Sequence, residues 1–152
     1  EILKQKNYEF ILDRACIQFE PDDPHYQRIV RVVYDAVNSD GEYDKLRSTR
    51  HYGPFVFHLA MTRNIDSLLY ENITKEFIED AALLIKLFHK LHPTSKSAEF
   101  AKTSDNVDLI KKYVELDSAA RGKLTSAINA YKELAGARKK LEEGIKKAHG
   151  LS

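Results

Sequence analysis

The chain has 152 residues, 43% apolar and 31% charged, which is enough for one domain with a real core and is neither disordered nor membrane-like in balance. Its 24 basic and 23 acidic side chains nearly cancel, which argues against a uniformly basic nucleic-acid binder, although charge can still segregate along the chain. With Cys16 as the only cysteine, an intramolecular disulfide is excluded, and an inert buried thiol is expected there.

Residues 2–19 carry Leu3, Tyr8, Phe10, Ile11, Ala15 and Phe19 at loosely helical spacing, and Pro21 and Pro24 end that segment. Asp23-Pro24 reads as an N-cap followed by proline at the first helical position. The helix it opens should run to about Asn38 with Ile29, Val30, Val33 and Val37 facing inward. Ser39-Asp40-Gly41 is a turn; it lacks the alternating oxygen ligands and closing glutamate of a calcium loop.

Gly53-Pro54 marks a break, with Pro54 opening a helix from Phe55 to Glu71 along Phe55, Leu59, Ile65, Leu68 and Leu69. Asn72 or Thr74 can cap the next helix, which carries Phe77, Ala81, Leu84, Phe88 and Leu91 and must end before Pro93. Residues 94–103 are polar and loop-like. Val107, Ile110, Val114 and Leu116 then lead toward Gly122, and Leu124, Ile128, Tyr131, Leu134, Leu141 and Ile145 continue at steps of three, four or seven. Gly136 and Gly144 each cost a helix about 1 kcal/mol, so tertiary packing is expected to hold it. Four or five amphipathic helices on short links predict an all-α single domain, 1–152, built as an up-down four-helix bundle with an extra N-terminal helix allowed for.

Candidate chemistry is sparse. His89 and His92 lie three apart and could share a metal, but the Glu-x-x-His pattern of bundle metal sites is missing, and a solvated helix end is the expected role. Arg47, Arg50, His51 and His58 form the most unusual polar cluster, but their spacing does not fit the arginine–histidine interval of helical ribonucleases. Tyr52-Gly53-Pro54 with Leu59-Ala60 resembles the distal helix of haem peroxidases. The positions that would carry its arginine, aromatic and histidine hold His58, Met61 and Thr62. No phosphate loop, nucleophile elbow or cysteine metal set is present, so no catalytic, cofactor or metal residue is assigned.

The strongest electrostatic asymmetry lies at the C-terminal end. Arg121, Lys123, Lys132, Arg138, Lys139, Lys140, Lys146 and Lys147 face only Glu133, Glu142 and Glu143, an excess of five positive charges. Arg138, Lys139, Lys140, Lys146 and Lys147 are therefore the expected partner-binding residues, by salt-sensitive docking on an acidic surface.

Arg63-Asn64-Ile65-Asp66-Ser67-Leu68-Leu69 and Leu116-Asp117-Ser118-Ala119-Ala120, followed by Ala127 and Tyr131, resemble the PsbQ-like family of extrinsic photosystem II proteins over about residues 55–148. The resemblance implies a four-helix bundle without catalytic residues or cofactors. It also implies a place in the plastid thylakoid lumen, peripheral to the membrane, on the photosystem II core and its other extrinsic subunits, where it would support oxygen evolution. First residue Glu1 is compatible with removal of a targeting peptide. The leading expectation is thus a non-catalytic accessory subunit. The alternative is a helical nucleic-acid-associated subunit that binds through its basic C-terminal helix. A third is a haem or metal protein built around His58 or the His89–His92 pair.

Overall fold

Every regular element among the described residues, 7–100 and 105–150 of the computed structural model, is a helix. The all-α class follows from side-chain periodicity alone. The division into elements is finer than periodicity suggests, with eight α-helices and one short 3-10 helix. No described helix is long and apolar enough to cross a membrane. Leu3 and residues 101–103 of the expected polar loop lie outside the described residues. The chain divides into two compact units that meet in sequence at Leu68 and Leu69.

In the first unit, α1 (Tyr8–Gln18) buries Tyr8, Leu12 and Ala15, one face at steps of four and three, and packs on α2 (Pro24–Asp40). The Asp23 side chain accepts the His25 N–H at 2.8 Å, so the proline-led start of α2 is as expected. The helix runs to Asp40 because Gly41 adopts φ +66° and its N–H returns to the Val37 carbonyl, a left-handed cap that costs glycine little. Val33 and Val37 are buried and Tyr34 packs against Phe55, ring centroids 5.4 Å apart. The Tyr8 hydroxyl reaches Asp40 Oδ2 at 3.1 Å, and the Tyr43 hydroxyl reaches Asn38 Oδ1 at 2.6 Å.

After the single turn α3 (Asp44–Arg47), helix α4 (Tyr52–Met61) begins two residues before Pro54. Gly53-Pro54 is therefore no break. Proline sits in the first turn, where its missing N–H has no helical partner to lose. The single helix expected from Phe55 to Glu71 is instead two. Thr62 Oγ1 bonds the His58 carbonyl at 2.8 Å, Asn64 N–H returns to the Leu59 carbonyl at 2.9 Å, and Arg63 turns to φ +59°. The chain then re-enters helix as α5 (Asp66–Thr74).

In the second unit, α6 (Ile78–Leu91) starts later than a cap at Asn72 or Thr74 would place it. Those two residues close α5 instead, Glu76 takes φ +65°, and the Phe77 N–H bonds the Asn72 carbonyl at 2.7 Å. The α6 stripe Ala81, Leu84, Ile85 and Phe88 is buried, while Phe77 is exposed. The 3-10 helix spans Lys96–Phe100. Helix α7 (Asn106–Leu116), capped by Asp105 accepting the Val107 N–H at 3.2 Å, packs on α6, on the 3-10 helix and on α8 (Arg121–Ala148). Its buried residues Leu109, Ile110, Tyr113 and Val114 cover two of its flanks.

Because Leu109 is 1% exposed on the helix that packs on α6, the 3-10 helix and α8, Leu109→Ala should cost about 3 kcal/mol. Urea unfolding should show this as a lower midpoint with little change in slope.

Candidate nucleic-acid interface

Helix α8 is built from strong helix formers, and its ladder runs unbroken through Gly136 and Gly144. At 1.5 Å per residue its 28 residues extend about 42 Å. Leu124, Ala127 and Ile128 are buried where α8 packs on α7, whereas every residue from Lys132 to Gly150 is exposed. Methyl groups added at Gly136 and Gly144 would meet open space. Packing on α7 holds the first half of the helix, as expected, and does not reach Gly136 or Gly144. The far half leaves the core, and its Arg138 is tied to Glu76 at the surface.

Lys132, Lys139 and Lys146 recur every seven residues, as do Lys140 and Lys147, so they form two neighbouring rows along the helix. One further observation concentrates charge there. Lys132 is held below the usual ammonium range, first by its side-chain contact with Lys111 on α7 and then by partial desolvation. Two like charges share one surface, an arrangement that an anion would relieve. Arg138 is the exception among the predicted partner residues. Its Nη2 donates to Glu76 Oε2 at 2.8 Å, so it is engaged by an acid of the same unit.

Acidic groups collect elsewhere. The starts of α6 and α7 frame a cavity of about 550 Å³ lined by Glu76, Glu79, Asp80, Asp105 and Tyr131. Carboxylates at helix N-termini complement the macrodipole, which accounts for their placement. A chain with almost no net charge is therefore polarised within its second unit, basic along α8 and acidic at these helix starts.

The His89 environment was not legible from its neighbours in sequence. The ring is buried rather than solvated. Its Nε2 lies 2.7 Å from Ser97 Oγ, and Ser97 Oγ makes a very close hydrogen bond to Asp117 Oδ2. Asp117 also accepts the Ser97 N–H at 2.8 Å. The carboxylate takes the serine proton, so His89 Nε2–H donates to the serine oxygen and Nδ1 is left buried without a partner. A nucleophilic serine needs the reverse order, with histidine accepting its proton. The network instead ties α6, the 3-10 helix and the residue that ends α7. His92 meets the Phe88 ring in a tilted contact, centroids 4.9 Å apart, and among the described residues no group of three His, Cys, Asp or Glu could hold a metal.

The family model of Mitochondrial 28S ribosomal protein S22 matches residues 1–93. The chain belongs to this family. It is 33% identical over 132 residues to Small ribosomal subunit protein mS22 of Mus musculus, covering 86% of this chain and 37% of that protein. Against Small ribosomal subunit protein mS22 of Bos taurus it is 33% identical over 131 residues, covering 85% and 36% respectively. The chain thus spans a little over a third of the length of these relatives.

Membership in a ribosomal protein family overturns the PsbQ-like resemblance and everything drawn from it: photosystem II core and extrinsic subunits as partners, the thylakoid lumen as location, and support of oxygen evolution. The motifs that carried it have local explanations. Asp117 in Leu116-Asp117-Ser118-Ala119-Ala120 holds the 3-10 helix, and Ser118 Oγ accepts the Ala120 N–H at 3.0 Å in the link to α8. Arg63-Asn64 forms the turn between α4 and α5. Links and small residues of this kind recur wherever helices pack, so they carry little ancestry. The alternative reading, a nucleic-acid-associated helical subunit, fits this family better.

The cluster around Arg47, Arg50, His51 and His58 in the first unit is structural. Arg50 Nη2 and buried His51 Nε2 both reach Asp13 Oδ1, at 2.8 and 2.7 Å, and hold that carboxyl below its usual range. Arg47 pairs with Asp44 at 3.3 Å and lies over the Tyr52 ring. His58 stacks on Tyr34 at 5.3 Å, with Asp35 Oδ1 3.9 Å from its Nε2. Cys16 is exposed rather than buried, because Leu12 and Ala15 define the inward face of α1 and Cys16 falls one position past it.

Burial pushes the His89 imidazole below its ordinary value, with Asp117 partly offsetting that. The unfolded chain therefore binds the proton more readily. Its stabilising effect is complete above the unfolded value of about 6.5 and is lost as pH falls toward the lowered native value. Urea midpoints measured from pH 7.5 down to 5.5 should fall more steeply for the native chain than for His89→Gln, which does not titrate.

Proposed function

We propose that this chain is a non-catalytic structural segment of a mitochondrial ribosomal small subunit, in the mitochondrial matrix, that associates with RNA through the basic face of α8. Membership in the ribosomal protein family supplies the assembly. The observation that carries the RNA contact is the pair of lysine rows, Lys132, Lys139, Lys146 and Lys140, Lys147, standing free of the core beside Lys111. Flexible ammonium groups in rows about 10 Å apart along a helix suit the phosphates of a structured RNA, which demand charge rather than base-edge geometry. Arg138 contributes by anchoring to Glu76 and so fixing where the rows point.

The non-catalytic reading rests on the polar clusters themselves. His89, Ser97 and Asp117 are hydrogen-bonded in an order that spends the serine proton on the carboxylate, and Arg50, His51 and Asp13 satisfy one another. Each cluster connects secondary-structure elements, and the cavity that His89 lines with Lys86, Lys90, Pro93 and Ala98 does not include Ser97 or Asp117 in its lining.

Affinity for a small-subunit ribosomal RNA fragment should fall steeply with salt. Replacing Lys139, Lys140, Lys146 and Lys147 by glutamine should weaken binding and flatten the salt slope by roughly 0.7–0.9 per lysine. A quadruple variant that keeps the native slope in a filter-binding titration would remove this face from the interface.

A further inference from the structure

The His89 ring lines a cavity that the basic arm does not involve. About 390 Å³ in volume, the cavity is bounded by Lys86, His89 and Lys90 of α6 and by Pro93 and Ala98 of the segment that follows. Lys86, His89 and Lys90 stand at i, i+3 and i+4, neighbours on one face of the helix. No carboxylate lines the cavity, and among the described residues neither lysine has an ion-pair or hydrogen-bond partner. Ammonium groups at i and i+4 destabilise a helix unless an anion joins them. The helix dipole accounts for Lys90 in the last turn but not for Lys86 one turn earlier.

A second observation is independent of those charges. His89 is 8% exposed, its Nε2–H is committed to Ser97 Oγ, and its Nδ1 has no partner. Ser95 Oγ, in the segment between Pro93 and Ala98, is likewise buried without one. Two of the three such atoms among the described residues therefore lie in this corner. Buried polar atoms nearly always have a partner, so these call for one from outside the chain.

We infer that this cavity binds a phosphate group, with Lys86, Lys90 and His89 Nδ1–H each donating to one oxygen. Phosphate offers separate oxygens to three donors, whereas a carboxylate has two, and lysine serves phosphate as a mobile point charge. Neutral His89 carries a lone pair at Nδ1, so the anion binds with uptake of one proton there. Lys86 and Lys90 favour the neutral ring and Asp117 at the end of α7 the charged one, so an anion beside the lysines tips the balance. The imidazolium is then held at both ends. Nδ1–H meets the phosphate, and Nε2–H donates to Ser97 Oγ, which donates to the Asp117 carboxylate. The inference rests on the proposed function only for the source, since RNA backbone and free phosphate present the same group.

The test follows the histidine ring signals of the purified chain by NMR, with His89 assigned by its loss in His89→Gln. Inorganic phosphate, titrated against chloride at equal ionic strength, should move the His89 signals saturably and strengthen the ring's hold on its proton about tenfold. Lys86→Gln with Lys90→Gln should weaken that binding about tenfold. Both lysines are exposed, so the double variant should keep its circular dichroism. A His89 titration identical in phosphate and chloride, or an unchanged affinity in the double variant, would overturn the inference. With phosphate binding in hand, a small-subunit ribosomal RNA fragment that moves the same signals identifies its backbone as the source. A fragment that binds and leaves them unmoved identifies free phosphate as the ligand, and the proposed function stands. If no RNA binds, the proposed function fails while the phosphate titration still decides the cavity.

Discussion

The second unit is governed by a mismatch of helix lengths. Helix α7 has 11 residues and α8 has 28, so the cover that α7 gives spans about 17 Å of a rod about 42 Å long. Packing can bury Leu124, Ala127 and Ile128 and nothing further out. Everything distinctive about α8 follows from that shortfall. Its lysines beyond Tyr131 are solvated, its far glycines face open space, and Leu134 and Leu141 are exposed.

Polar contacts set where the covered part ends. Asp117 stops α7 and holds the 3-10 helix through the Ser97 backbone and side chain, while Ser97 in turn accepts from buried His89 on α6. A buried hydrogen bond of this sort contributes modestly when made but is expensive to leave unmade, so the three residues act as a registration device. Arg138 and Glu76 play the same part at the surface, where solvent screening leaves them little net energy but a defined geometry. The first unit repeats the logic, with Asp13 joining α1 to Arg50 and His51.

Charge is unevenly distributed within the second unit. Near-neutral totals hide a basic arm and acidic helix starts within one unit. The photosystem resemblance failed because it rested on small and aliphatic residues at helical spacing, a pattern that packing imposes on any bundle. The charge asymmetry of α8 differs in kind, because packing does not require it.

The amino-acid order by itself determined the all-α class, the Asp23-Pro24 start of α2, the inward positions Val33 and Val37 of α2 and Ala81, Leu84 and Phe88 of α6, and the basic excess after Gly122. These depend on near neighbours, and helical periodicity and capping act over four residues or fewer. What lay beyond that reach needed the tertiary structure. The break at Arg63 depends on hydrogen bonds that close a turn, and Cys16 was misplaced because its neighbours are apolar although its own direction is outward. His89 was read as solvated because its partners are 8 and 28 residues away. Most of all, only the folded chain shows that the apolar stripe of α8 begins in the core and ends in water. Periodicity states which residues share a face, while burial depends on whether another helix is long enough to cover it.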